Sequence, residues 1–154
     1  MTTRNLVTNP SFETNTTGWA RGGNNVIARS TEQARFGAAS LKCTYADAST
    51  FAQFGITLTA APHVASCYLW IPEDYDGGLI RLTSLGFTSA TGLASVNANM
   101  AIRDAWQRLV LTPWTPNAGD LVGAINLNRD TGNQPTVGKF FYIDGVQVEV
   151  GASA

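Results

Sequence analysis

An all-β chain of the sandwich or barrel kind is what this sequence predicts, on three observations. Apolar and polar residues alternate with period two through most of the 154 positions. Turn-forming residues interrupt that alternation every 8–12 positions or so, a spacing suited to many short strands. The composition is only 14% charged, against roughly 25% in an average soluble domain. Thr, Ser, Asn, Ala and Gly fill the deficit; they suit pleated strands and tight turns and make poor solvent-facing helices.

The strands are expected at residues 26–30, 40–45, 51–58, 64–71, 79–85, 95–102, 107–112, 121–127 and 140–150. The cleanest is 40–45, where Leu41, Cys43 and Tyr45 alternate with Ser40, Lys42 and Thr44. Between the strands lie runs such as Arg21-Gly22-Gly23-Asn24-Asn25 and Pro116-Asn117-Ala118-Gly119-Asp120. Gly, Asn and Asp there accept positive φ or cap their own backbone. In 140–150 the apolar series Phe141, Ile143, Val146, Val148, Val150 changes face near Asp144-Gly145, which predicts a bulge or bend. The core is expected to contain Leu41, Cys43, Phe54, Cys67, Leu69, Leu109, Leu111, Ile125 and Ile143. Residues 1–154 read as a single domain, with no internal repeat or low-complexity tail.

Charge and apolar runs exclude several classes. The formal net charge is −1, with no basic cluster to meet a phosphate backbone. No apolar run approaches the ~18 residues of a membrane span. Met1-Thr2-Thr3-Arg4-Asn5 runs into strand-like sequence without an apolar signal core. Cys43 and Cys67 sit in separate strand-like segments without C-x-x-C spacing. Two buried free thiols are expected, with a structural disulfide as the alternative.

Four motifs carry a resemblance. Asn5-Leu6-Val7-Thr8-Asn9-Pro10-Ser11-Phe12-Glu13 is followed by Thr17-Gly18-Trp19; then come Gly37-Ala38-Ala39-Ser40-Leu41-Lys42, Trp106-Gln107-Arg108-Leu109 and Phe141-Tyr142-Ile143-Asp144-Gly145-Val146-Gln147-Val148-Glu149. In this order they resemble jelly-roll carbohydrate-binding modules of the type-four/nine/twenty-two group, which also occur in bacteriophage tail and capsid-surface proteins. The resemblance spans nearly the whole chain and implies an all-β, antiparallel two-sheet jelly-roll β-sandwich, galactose-binding-like in kind. It further implies one structural calcium ion held by Glu13 and Asp144 with backbone carbonyls; the rival reading is that the two carboxylates cap turns or pair with Arg. One departure stands out: Gly145 replaces the second Asp of the family's closing motif. Trp19, after Gly18, reads as a core anchor, since such rings bury 150–250 Å² or so.

Catalytic patterns are missing. His63, the one histidine, follows Pro62 and reads as a solvated loop residue. No nucleophile-elbow, zinc-helix or phosphate-loop motif is present. The acidic run Glu73-Asp74-Tyr75-Asp76-Gly77 lacks calcium-loop spacing and reads as a solvated turn. The chain is therefore expected not to be an enzyme. For sugar binding, Trp70, Tyr75 and Trp114 are the rings expected to be exposed, each at a strand end or beside proline. Asn97, Asn99, Asn126, Asn128 and Arg129 are the polar partners.

The leading expectation is a bacteriophage virion structural protein, a capsid decoration or tail surface subunit, made in the host cytoplasm and carried on the virion surface. Its partners would be other virion proteins, copies of itself and cell-surface carbohydrate, with Trp70, Trp114 and Phe87 central to the interface. The Met1 start without a signal, and the few charges, favour it. The alternative is a carbohydrate-binding module of a secreted polysaccharide-degrading enzyme.

Overall fold

The computed structural model describes residues 4–85, 94–129 and 132–151. Among them there are ten strands and no helix, arranged as two antiparallel five-stranded sheets. The first sheet runs β1 (Trp19–Arg21), β4 (Ala52–Thr57), β9 (Val122–Arg129), β6 (Ile80–Leu85), β7 (Ser95–Asn97). The second runs β2 (Val26–Ser30), β3 (Ser40–Thr44), β10 (Phe140–Val150), β5 (His63–Trp70), β8 (Trp106–Val110). The expected sandwich forms.

The core lies between the inner faces. Leu41, Cys43, Cys67, Leu69, Ile143 and Leu109 come from the second sheet, and Phe54, Ile80, Leu82, Ile125 and Leu127 from the first; all are buried, as is Leu111 just after β8. Each such side chain contributes roughly 1.5–3 kcal/mol on leaving water. Cys43 and Cys67 are free and buried, and burial pushes the Cys67 thiol up to about 12. Trp19 is the core anchor expected. Its ring packs 5.3 Å from Phe12 and 5.5 Å from Phe54, and its indole N–H donates to the Asn9 carbonyl. Phe12 enters the core at φ +56°, a conformation bulky residues rarely adopt, immediately after the Asn9-Pro10-Ser11 turn.

Two strand expectations change. β1 was not anticipated, and the 95–102 segment pairs only over Ser95–Asn97. Beyond it the Asn99 backbone and Gln107 side chain bond each other in both directions, which fixes a turn instead of prolonging the strand.

The expected irregularity in β10 is present and organises one end of the second sheet. Phe140 to Ile143 pair with β3; the register on β5 then shifts between Asp144 and Gln147, with Gly145 at φ +55°. Past the shift β10 leaves β3, and the N-terminal segment takes its place. Leu6 N–H donates to the Val148 carbonyl and Val146 N–H to that of Pro10. The Asn5 side chain donates to the Val146 carbonyl and accepts from Val148 N–H, at 2.9 and 3.0 Å.

Candidate functional site

Strand alternation turns Ile125 and Leu127 of β9 into the core, so Asn126 and Asn128 point to the outside of the first sheet. The same rule brings Arg81 and Thr83 of β6 to that face, with Gln53 of β4 and Ser95 and Asn97 of β7. Register makes two polar rows, Gln53–Asn126–Thr83–Ser95 and Asn128–Arg81–Asn97. Asn126 sits at the centre, fully buried, and among the described residues neither its amide oxygen nor its amide nitrogen has a hydrogen-bond partner. The buried Nε of Arg81 is likewise unpartnered. An unmet buried polar group costs about 1–3 kcal/mol, and no described residue meets that of Asn126. A carbohydrate hydroxyl donates and accepts at once, which matches a carboxamide's paired donor and acceptor.

The outside of the second sheet differs in chemistry. Trp70 and Trp106, opposite in register, lie with ring centroids 5.8 Å apart, and Phe36 meets Tyr68 edge-on at 5.3 Å. Phe140 and Tyr142 carry Lys42 above them, 4.0 Å from the Phe140 ring. Where the β10 shift opens the sheet there is a depression of about 490 Å³, lined by Phe36, Tyr68, Arg108, Gln147, Ser11 and neighbouring backbone.

Seventy-seven chains of known structure share this architecture. The CBM22-1 xylan-binding domain from Paenibacillus barcinonensis Xyn10C superposes with TM-score 0.69 at 19% identity, over 94% of this chain and 93% of that one. The C-terminal family 22 carbohydrate-binding module of Clostridium thermocellum Xyn10B gives 0.64 at 16%, over 94% and 92%. TmCBM61, in complex with beta-1,4-galactotriose, gives 0.69 at 14%, over 96% and 99%. The fold is the carbohydrate-binding-module jelly roll. No protein-family model matches the chain, and no curated protein matches it.

On this jelly roll the expected ligand residues separate. Asn97, Asn126 and Asn128 do meet on one face, and Arg129 ends β9 opposite Ile80. Asn126 is buried at the floor of that face, not on its surface as expected, with Gln53 and Thr83 beside it in register. Asn99 stays outside the group: its side chain accepts from Ala101 N–H within a turn. Trp70 is half-buried on the opposite sheet.

Tyr75 and Trp114 are not the exposed rings expected; both are in the core. The Pro72–Tyr75 turn does form, but Gly77, where any Cβ would crowd the Tyr75 hydroxyl at 2.7 Å, lets the chain close over the ring, which packs edge-on against Phe141. Trp114 is drawn in by a two-bond bridge with His63, so His63 is buried as well and is not the solvated loop residue expected. Phe87 lies outside the described residues.

Glu13 and Asp144 converge on one loop. Asp144 Oδ2 accepts the N–H groups of Arg35 and Phe36 at 2.8 Å each, and Oδ1 accepts that of Gly145. Glu13 accepts the N–H groups of Ala38 and Ala39. The carboxylates are close enough that Glu13 adds to the rise in Asp144's pKa, whose main cause is burial. This donor set does not fit calcium: N–H hydrogens, not carbonyl oxygens, face the carboxylates, and a cation would have to displace them. Among the described residues no group of three or more His, Cys, Asp or Glu side chains could hold a metal ion.

Gln53, Arg81, Thr83 and Ser95 went unnoticed in the sequence. Their signal was their place in the alternation, each beside a core residue of its own strand.

Proposed function

We propose that this chain is a non-catalytic glycan-binding module whose saccharide lies across the outer face of the first sheet. The observation that carries the reading is Asn126, buried with both ends of its amide unmet between Gln53 and Thr83. Sugar hydroxyls would satisfy it once the side chains covering it part, with Arg81, Asn97 and Asn128 as flanking contacts. The similar modules that bind xylan and β-1,4-galactotriose make neutral β-linked oligosaccharides the first probes. A glycan array followed by calorimetry tests it. Binding is expected, and Asn126→Ala should weaken it at least about tenfold, since a site that hydrogen-bonds its ligand discriminates strongly. The same substitution should leave the melting temperature level or higher, because it removes an unmet amide. An array with no hit, or binding indifferent to Asn126→Ala, rejects the proposal.

For its setting, we propose a bacteriophage virion surface, on capsid or tail, with other virion proteins or copies of itself as partners. Val26 and Val110 support this, as exposed apolar side chains on β2 and β8, the two edge strands of the second sheet. Such edges pair readily with a neighbouring chain. Co-sedimentation with assembled particles, lost on Val110→Lys, is the expected result. A monomer that ignores particles while binding glycan would favour the module of a polysaccharide-degrading enzyme.

A further inference from the structure

The geometry points to a second saccharide site, on the opposite sheet from the first, for a sugar that carries a carboxylate. It occupies the depression opened by the β10 shift. Its floor is a hydrogen-bonded strip across three strands: Arg108 of β8 donates to the Ser66 hydroxyl of β5 at 3.3 Å, and Ser66 donates to Gln147 of β10 at 3.4 Å. Ser66 is buried, whereas Arg108 and Gln147 are exposed. The strip therefore presents the remaining guanidinium donors and the Gln147 amide nitrogen to whatever enters.

One wall is aromatic, formed by Tyr68 and Phe36. The Arg35 guanidinium lies 4.8 Å from the Tyr68 centroid and 4.9 Å from that of Phe36. Arg35 and Arg108 thus bring two positive charges to this end of the sheet, and neither forms an ion pair among the described residues. Asp144, at the β10 shift, is buried and its carboxylate accepts three backbone N–H groups, not a guanidinium.

A guanidinium fork suits a planar carboxylate, which it grips through two parallel bonds. Aromatic walls suit the apolar face of a pyranose ring, and Gln147 and Ser11 are placed for its hydroxyls. The volume of about 490 Å³ falls within the ~300–1,000 Å³ of small-ligand sites. A uronic acid residue combines these features in one ligand.

The test is titration of the intact chain with methyl β-D-glucuronide and methyl α-D-galacturonide, followed by nuclear magnetic resonance. Methyl β-D-glucoside and acetate are the comparison ligands. A uronide is expected to bind, to shift the Tyr68, Arg108 and Gln147 signals, and to bind more weakly as salt rises. Arg108→Gln should weaken it at least tenfold at unchanged melting temperature, and Asn126→Ala should leave it alone. No uronide binding, glucoside as tight as glucuronide, acetate as tight as either, or indifference to Arg108→Gln would each overturn the proposal. Neutral oligosaccharide binding that survives Arg108→Gln leaves the first face standing, so the two sites fail separately.

Discussion

The ring of Phe36 occupies the space that a side chain at residue 145 would need: a Cβ on Gly145 would lie 2.7 Å from Phe36 Cε2 and 3.3 Å from Tyr68 Cδ2. Residue 145 is where the chain departs from the closing motif that it otherwise resembles. A side chain at 145 would have to push the Phe36 ring aside. The consequence reaches the second sheet's outer face, because Phe36 and Tyr68 together make the aromatic wall of its depression.

Gly145→Asp should therefore destabilise the protein by about 1–3 kcal/mol, from overpacking and from a positive φ imposed on a side chain. At this chain length that is a fall of about 2–4 °C for each kcal/mol. Phe36→Ala with Gly145→Asp should cost less than the two changes added together, since the first removes the ring that the second strikes. Strict additivity in thermal or urea unfolding would show that the ring is not the obstacle.

Asp144 supports a second expectation. Its carboxylate takes three N–H donors from the 35–36 loop and from Gly145, and Glu13 takes two more from Ala38 and Ala39, so backbone hydrogens already occupy both anions. Millimolar calcium or a chelator should leave the melting temperature where it is, whereas a bound structural ion would raise it with concentration. Asp144→Asn should cost about 1–3 kcal/mol, because its amide N–H2 would face a backbone donor and leave a buried group unmet. A chelator-sensitive wild type that Asp144→Asn renders insensitive would restore the calcium reading.

The strands were legible where alternation is long. Leu41 and Cys43 announce β3 and its buried face, and the break in the Phe141–Val150 series announces the shift at Asp144. β1 has three residues, too few for a period to show. Tyr75 and Trp114 differ from expectation for another reason. Pro72 and Pro113 say where the chain bends, but only the tertiary neighbours, Phe141 for one and His63 for the other, decide which way the ring turns. The polar face was half legible. Alternation identifies outward positions on each strand, whereas the meeting of Gln53, Asn126 and Thr83 depends on the order β4-β9-β6, which no local pattern encodes.

His63 gives the clearest pH dependence. Its Nδ1 lies 2.7 Å from the Ala61 carbonyl and so carries the ring proton, leaving Nε2 as a bare acceptor, buried without a partner beside Trp114. Burial holds its pKa below the ordinary histidine value, since a proton on Nε2 would find nothing to bond. The unfolded chain then binds a proton more readily than the folded one. Stability contributed by neutral His63 is full above the unfolded pKa of about 6.5 and falls as pH drops below it. Between pH 7.5 and 5.5 the loss for a single group cannot exceed about 1.4 kcal/mol. Urea unfolding at the two pH values measures it, with His63→Phe as the comparison because it keeps a ring against Trp114 and removes the titration. The wild type should lose more stability than the variant over that interval. An equal loss would place the titrating group elsewhere and mean that Nε2 finds an acceptor when protonated.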